Sequence, residues 1–166
     1  MTPKQYVILT FTLMKLSTFT KQDFDTLYDF MRPIWLETYA FLPKAQIELL
    51  LEKYFSASAL ERFQNQGYQY RKIDGEGVLV YLEKADEIYI DKLYLPPSQR
   101  GKDLPKQVFN VLLQKGKDLT LNVNQNNVRA VNCYRKNGFI VDQEIIIDLG
   151  NGMQNCDYVM RKKANK

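Results

Sequence analysis

Residues 87–106 are EIYIDKLYLPPSQRGKDLPK, a segment that predicts a β-strand, a basic turn and the start of a helix. Ile, Tyr and Leu are frequent from Glu87 to Leu95, as in β-strands, and the residues after the turn repeat at helical spacing. The predicted buried face of that helix consists of Leu104, Val108, Val111 and Leu112. Unpaired N–H donors at a helix start attract anions, so the turn, with Arg100 and Lys102, is a predicted phosphate site.

Strands and helices are predicted on both sides of this unit. Before it we expect a strand over residues 6–14, a helix capped at Thr20 and broken at Pro33, a helix from Pro43, a short helix over 58–66 and a hairpin of strands 68–74 and 78–83. After it we expect a strand over 119–123, a helix from Asn127 to Lys136 and a hairpin of strands 139–149 and 157–161. This order predicts an α/β fold with a strand-helix-strand crossover.

Composition indicates one ordinary globular domain over residues 1–166, because 45% of the residues are hydrophobic and 25% are charged. The net charge of +4 is too small to predict a nucleic-acid partner. No run approaches the roughly 20 apolar residues of a membrane span. Cys133 and Cys156 form no disulfide or zinc pattern, so a cytoplasmic protein with free thiols is expected.

The chain contains no histidine. This excludes Ser-His-Asp and Cys-His catalysis, histidine-ligated metals and histidine general bases. Acid–base chemistry must therefore use Asp, Glu, Tyr, Lys, Cys or water, and no metal is predicted.

Two motifs resemble those of the Gcn5-related N-acetyltransferases. The first is Leu93-x-Leu95-x-Pro97-x-Gln99-Arg100-Gly101-Lys102, and the second is Asn127-x-x-Ala130-x-x-x-Tyr134-x-x-x-Gly138-Phe139. The resemblance implies a mixed, mostly antiparallel sheet of six or seven strands, flanked by about four helices. It also implies a splayed central strand pair that holds acetyl-CoA. The first 60 residues match only loosely and are similar to small bacterial members that acetylate polyamines.

The resemblance assigns coenzyme contacts to both motifs. It implies that Leu93, Tyr94 and Leu95 bind the pantetheine arm and the thioester. The pyrophosphate would be held by the turn and helix start, which contribute Arg100, Gly101, Lys102, Asp103, Leu104 and Lys106. Asn127 and Tyr134 would complete the coenzyme site.

The sequence departs from the family pattern at the turn, where Asp103 and Pro105 replace small residues. Proline donates no N–H, and a lost charge-assisted hydrogen bond to phosphate costs about 1.5–3 kcal/mol. Asp103 adds a negative charge beside the predicted anion and strain wherever φ is positive. A catalytically impaired binding protein of the same fold is therefore the alternative to an active enzyme.

Acetyl transfer to an amine needs one group to accept a proton and another to protonate the thiolate. The resemblance gives Tyr134 the second role, and a phenol with a pKa of about 10 is protonated at neutral pH. Three candidates remain for the group that accepts the proton. They are Glu87 at the head of its strand, Asp91 four residues further along on the same face, and ordered water.

The acceptor pocket is predicted from the first two helices and the last hairpin, with Trp35, Glu37 and Tyr39 as substrate contacts. An aromatic and acidic lining suits a cationic amine, although these residues are equally ordinary in a core or at its rim. Cys133 is expected to be a small buried residue rather than a nucleophile. The predicted partner is a small-molecule or peptide amine, and the sequence is compatible with a homodimer.

Overall fold

A computed structural model describes residues 13–165, which form five α-helices and seven β-strands. The helices are α1 (Lys21–Thr38), α2 (Lys44–Phe55), α3 (Ala57–Asn65), α4 (Leu104–Leu113) and α5 (Val128–Lys136). The strands are β1 (Leu16–Thr18), β2 (Gln69–Ile73), β3 (Gly77–Glu83), β4 (Glu87–Tyr94), β5 (Asp118–Asn124), β6 (Ile140–Gly150) and β7 (Met153–Lys162). Residues 6–12 of the predicted first strand lie outside the described part of the chain.

The strands form one sheet in the order β1-β2-β3-β4-β5-β7-β6. Every neighbouring pair is antiparallel except β4 and β5, which are parallel and joined by the crossover through α4. The mixed, mostly antiparallel α/β fold predicted above is confirmed, and its five helices match the five helical segments predicted along the sequence, one more than the resemblance implied. No helix within residues 13–165 is long and apolar enough to cross a bilayer.

Apolar residues are buried on both faces of the sheet. On one face α4 and α5 pack over β4 and β5 through Val108, Phe109, Leu112 and Val131. On the other face α1, α2 and α3 pack through Met31, Trp35, Leu51, Phe55 and Leu60. The candidate site lies in the middle of the sheet, between β4 and β5, with one of these helical layers on either side.

Local sequence explains where α1 begins but not its whole length. The Thr20 side chain accepts the Asp23 N–H and Asp23 accepts the Thr20 N–H, which is a complete capping box. The prediction of a helix broken at Pro33 is wrong, because α1 continues through that residue. Pro33 is exposed, while its neighbours Ile34 and Trp35 are buried and hold the last turns against the core.

The predicted apolar face of α4 is correct at three of its four positions. Leu104, Val108 and Leu112 are buried, whereas Val111 is 39% exposed. Phe109, which is 1% exposed, takes the place predicted for Val111. The helix is therefore rotated so that the bulkier aromatic side chain, with more apolar area to bury, faces the core.

Candidate active site

Strands β4 and β5 separate partway along their length. They pair from Glu87 opposite Asp118 to Ile90 opposite Leu121, and beyond these residues each continues without the other. The edge of β4 that would face β5 therefore has no strand partner from Asp91 to Tyr94. A cavity of about 450 Å³ opens in this gap and reaches the helices on both faces of the sheet.

A β-bulge in β4 lies at the start of the gap. Ile90 pairs with Tyr81 and Lys92 pairs with Val80, so Asp91 is an extra residue on this strand. The bulge changes which side chains face which helices. Ile88 and Ile90 pack under α4, yet Lys92, two residues further on, lies against aromatic rings of α2 and α3. Its ammonium group forms an ion pair with the Asp91 carboxylate.

The basic turn between β4 and α4 is anchored from beneath by Gln99. This side chain is 5% exposed, and its amide donates to the Ile73 carbonyl at 3.0 Å. The Arg100 guanidinium donates to the Leu95 carbonyl at 3.2 Å and to Glu37 at 2.8 Å. These bonds hold the turn against β2 and against the end of α1.

Gly77 gives the turn room to approach the sheet. A Cβ atom there would come within 2.8 Å of Gln99 Oε1 and of Leu95 Cδ2. We expect Gly77→Ala to displace the Gln99 anchor and lower the free energy of unfolding by about 1–3 kcal/mol, measured by urea denaturation. The double variant Gly77→Ala with Gln99→Ala should lose less than the sum of the two single variants. Two results would contradict this packing. One is a double variant whose loss of unfolding free energy equals the sum of the two single losses, and the other is a Gly77→Ala protein as stable as the wild type.

The N-terminus of α4 carries the predicted departures from the family motif. Asp103 is the N-cap, with φ 54° and ψ 23° in the left-handed region, and its side chain caps no N–H of the helix. Gly101 also has a positive φ of 77°. Pro105 lies in the first turn of α4 and lines the cavity together with Gly101 and Arg100. Lys102 and Lys106 are exposed beside it.

Helix α5 brings Tyr134 to the cavity. Asn127 caps the helix by accepting the Ala130 N–H at 3.4 Å. The Tyr134 ring packs against Phe139 at 5.6 Å and Phe109 at 6.1 Å between ring centroids. Burial raises the pKa of the Tyr134 phenol, so the hydroxyl keeps its proton across the neutral range.

Asp157 of β7 is a buried carboxyl group on the wall of the same cavity. It is 8% exposed, and its Oδ1 has no hydrogen-bond partner among the described residues. Burial raises the pKa of Asp157 to about 6. Its neighbour Asn155 accepts from Gln46 of α2 at 3.4 Å, which places Asp157 on the face covered by α1, α2 and α3.

Comparison with known proteins identifies this architecture. A family model described as an acetyltransferase (GNAT) domain matches residues 16–160. The chain belongs to the GNAT acetyltransferase family. It is similar to the peptidyl-lysine N-acetyltransferase of Salmonella typhimurium, with 35% identity over 63 residues. That match spans 37% of this chain and 43% of the Salmonella enzyme, less than half of each.

Solved GNAT structures share the fold. The PaiA N-acetyltransferase of Thermoplasma acidophilum in complex with coenzyme A has a TM-score of 0.69 at 23% identity, over 92% of this chain and 99% of that one. A GCN5-related N-acetyltransferase of Rhodopseudomonas palustris has a TM-score of 0.71 at 18% identity, over 93% and 98% of the two chains. At these identities the likeness concerns the fold alone. The separation of β4 from β5 in this chain agrees with the splayed strand pair that the resemblance implied.

The structure brings most of the residues predicted for the GNAT site to one cavity. Those that line it are Trp35, Tyr39, Leu93, Tyr94, Leu95, Arg100, Gly101, Asn127 and Tyr134. Leu104 is buried below the turn, while Lys102, Asp103 and Lys106 are exposed at its rim. The Tyr39 and Tyr94 hydroxyl groups are hydrogen-bonded at 2.6 Å, and burial raises the pKa of Tyr39 to about 12.

Glu37 and Glu87 do not line the cavity. Glu37 is exposed and binds Arg100, and this hydrogen bond lowers the pKa of Glu37. Glu87 binds Lys84 and Arg161 at the end of β4 that is still paired with β5. It is four residues from Asp91, which is about 13 Å along a strand. The structure thus keeps Glu87 apart from Tyr134.

Sequence reasoning missed Asp157 and Lys92. The last strand was predicted to begin at Asp157, but β7 begins at Met153 and Asp157 lies inside it. Pairing of Asp157 with Asn124 of β5 brings its carboxyl group to the cavity. One feature of the sequence pointed to Lys92, because lysine is uncommon within β-strands. Only the bulge, however, turns its side chain toward the interior.

Proposed function

We propose that this protein is an acetyl-CoA-dependent N-acetyltransferase that moves an acetyl group directly to a primary amine. The observation that carries the proposal is the placement of Tyr134 and Asp157 on the walls of one cavity at the gap between β4 and β5. One is a protonated acid and the other a buried carboxyl group with an uncommitted oxygen. Transfer between a thioester and an amine needs both.

The gap fits the coenzyme. The unpaired edge of β4 supplies backbone N–H and C=O groups to the amide-containing pantetheine arm. The start of α4 supplies free N–H groups, with Arg100, Lys102 and Lys106 nearby, for the pyrophosphate. Coenzyme A brings the activated acetyl group when it is bound. The chain binds and orients it and moves protons at the reacting atoms.

Asp157 and Tyr134 have opposite roles in this proposal. An amine is protonated at neutral pH, so the ionised Asp157 carboxylate accepts its proton directly or through one water before attack. Tyr134 then donates its hydroxyl proton to the sulfur of the departing thiolate, and the phenolate takes back the proton that the attacking nitrogen loses as it becomes an amide. Burial weakens the phenol as an acid, and the same surroundings raise the pKa of the coenzyme thiol, which favours protonation of the thiolate.

Cys133 supports direct transfer rather than an acetyl-enzyme. It lines the cavity next to Tyr134, but burial raises the pKa of its thiol and outweighs the opposite effect of the Asn137 amide, which donates to the sulfur at 3.8 Å. A thiol with a raised pKa provides little thiolate at neutral pH and is a poor nucleophile. The amine is therefore the attacking group.

Acetyl-CoA binding and turnover test this proposal. We expect the melting temperature to rise with acetyl-CoA, and mass spectrometry of a primary-amine panel to detect products that carry one added acetyl group. No stabilisation at millimolar acetyl-CoA would refute the enzyme. Stabilisation without any acetylated amine would favour the alternative, a binding protein impaired in turnover, to which the left-handed Asp103 and Pro105 point.

The charge of Asp103 should weaken coenzyme binding. We expect Asp103→Gly and Asp103→Asn to tighten CoA binding about fivefold, because Asp103 is exposed and a like charge about 4 Å from a phosphate costs about 1 kcal/mol in water. Calorimetry measures the change. Asn151→Gly is the matched control, since Asn151 is also left-handed, with φ 52°, but lies in the turn between β6 and β7. Unchanged or weaker affinity in both Asp103 variants would show that the phosphates lie elsewhere.

A further inference from the structure

Lys92 is a buried cation on the acceptor side of the cavity. Its side chain is 4% exposed. The ammonium nitrogen lies 4.9 Å from the ring centroid of Tyr54, 5.3 Å from that of Phe63 and 5.5 Å from that of Phe55. Three aromatic faces and the Asp91 carboxylate thus surround it. Aromatic rings with a carboxylate are suited to binding the ammonium group of a substrate. In this protein they bind the ammonium group of Lys92 instead.

Charges around the cavity leave one carboxylate free. Among the described residues, the charged side chains that line it are Asp91, Lys92, Arg100, Arg129 and Asp157. Asp91 is neutralised by Lys92, and the two arginines at the mouth are paired with Glu37. Asp157 alone has no cationic partner in this set. The pocket can therefore neutralise one ammonium group and no more.

The remaining lining on this side is largely uncharged. Leu42, Leu50 and the rings of Trp35, Tyr39 and Tyr54 provide apolar surface. Such a wall favours an alkyl or aromatic body attached to the amine, because a second charge buried against it would lose its hydration without gaining a partner.

We propose that the acceptor presents a single ammonium group on an apolar arm, and that Lys92 excludes diamines and polyamines by occupying the cation site next to Asp91. This inference rests on the proposed function. The inference limits the acceptor more narrowly than the proposed function does, because the sequence alone left polyamine-like amines among the candidate acceptors. A monoamine or the arm of a lysine side chain has the required chemistry, whereas a second ammonium group would lie beside Lys92.

Hexylamine and 1,6-diaminohexane form a matched pair for the test, since they have the same carbon chain and differ by one ammonium group. We expect kcat/KM for hexylamine to exceed that for the diamine at least about tenfold in the wild type, after allowance for the two equivalent amines of the diamine. Lys92→Met vacates the cation site and leaves Asp91 free, so it should reverse the preference. Asp91→Asn with Lys92→Met removes both charges and should restore the preference for hexylamine.

Calorimetry of both amines with the CoA-bound protein separates this inference from the proposed function. Tighter binding of hexylamine than of the diamine, reversed by Lys92→Met, supports the inference. Equal or tighter binding of the diamine by the wild type overturns it, even if acetylation occurs. A preference that is the same in the wild type and both variants also overturns it. Selective hexylamine binding without any acetylation would overturn the proposed function and leave the binding selectivity established.

Discussion

Asp157→Asn lowers kcat/KM for amine acetylation by about 10²–10³-fold, which is within the usual contribution of a general base. The asparagine side chain has nearly the same shape, so the cavity and coenzyme binding are retained. It has no carboxylate to take the proton from the amine. Steady-state kinetics with saturating acetyl-CoA and varied amine measure the loss, and calorimetry with CoA confirms that the coenzyme site is intact.

The pH profile distinguishes a base from a packing residue. Since burial raises the pKa of Asp157 to about 6, kcat/KM of the wild type should rise with pH through a midpoint near that value as the carboxyl group ionises. Asp157→Asn should lack this acidic limb. Asp86→Asn is the control, because Asp86 is exposed between β3 and β4 and should leave both rate and profile unaltered. An Asp157→Asn enzyme with wild-type kinetics would exclude this residue from the mechanism.

The free energy of unfolding should change with pH in the opposite direction to the activity. The pKa of Asp157 is higher in the folded protein than its ordinary value of 3.8, so between these values the folded state binds more protons than the unfolded state. The contribution of Asp157 to the free energy of unfolding therefore falls as pH rises from about 4 to above 6, and Asp157→Asn should remove this decline. A carboxylate that lowers stability when ionised, yet is needed for turnover, is typical of a functional site.

Local sequence predicted the secondary structure of the proposed coenzyme half of the site. The strand-forming residues of β4, the basic turn and the helical spacing after it are all carried by adjacent residues. Strand and helix periodicity therefore located them without knowledge of the rest of the fold. At Asp103 the sequence predicted strain only on condition of a positive φ, and the structure has φ 54° there.

The acceptor half depends on pairing between distant strands, which a single sequence does not specify. Period-two reasoning placed Glu87 and Asp91 on one face, which is correct before the bulge, but it could not show that only Asp91 lies beyond the point where β4 and β5 separate. Asp157 reaches the cavity through the antiparallel pairing of β7 with β5. Registers of this kind arise from the whole sheet, so Lys92 and Asp157 were identified only from the structure.

Tyr134→Phe should lower kcat and kcat/KM together by about 10²–10³-fold, because the hydroxyl proton is required only as the thiolate leaves. Phenylalanine keeps the ring contacts with Phe109 and Phe139, so folding and CoA affinity should change little. Burial raises the pKa of Tyr134 above its ordinary value of 10, so the wild type should show no alkaline loss of activity from this group below pH 10.

Tyr158→Phe is the matched control for the loss of a phenol. Tyr158 lies on β7 and packs in the core beneath α5, but it does not line the cavity. Its variant should acetylate amines at the wild-type rate, whereas Tyr134→Phe should not. Equal turnover by Tyr134→Phe and the wild type would require water to protonate the thiolate. The phenol would then serve only to pack α5 against the sheet, and Asp157 would be the one acid–base group that remains in the proposed mechanism.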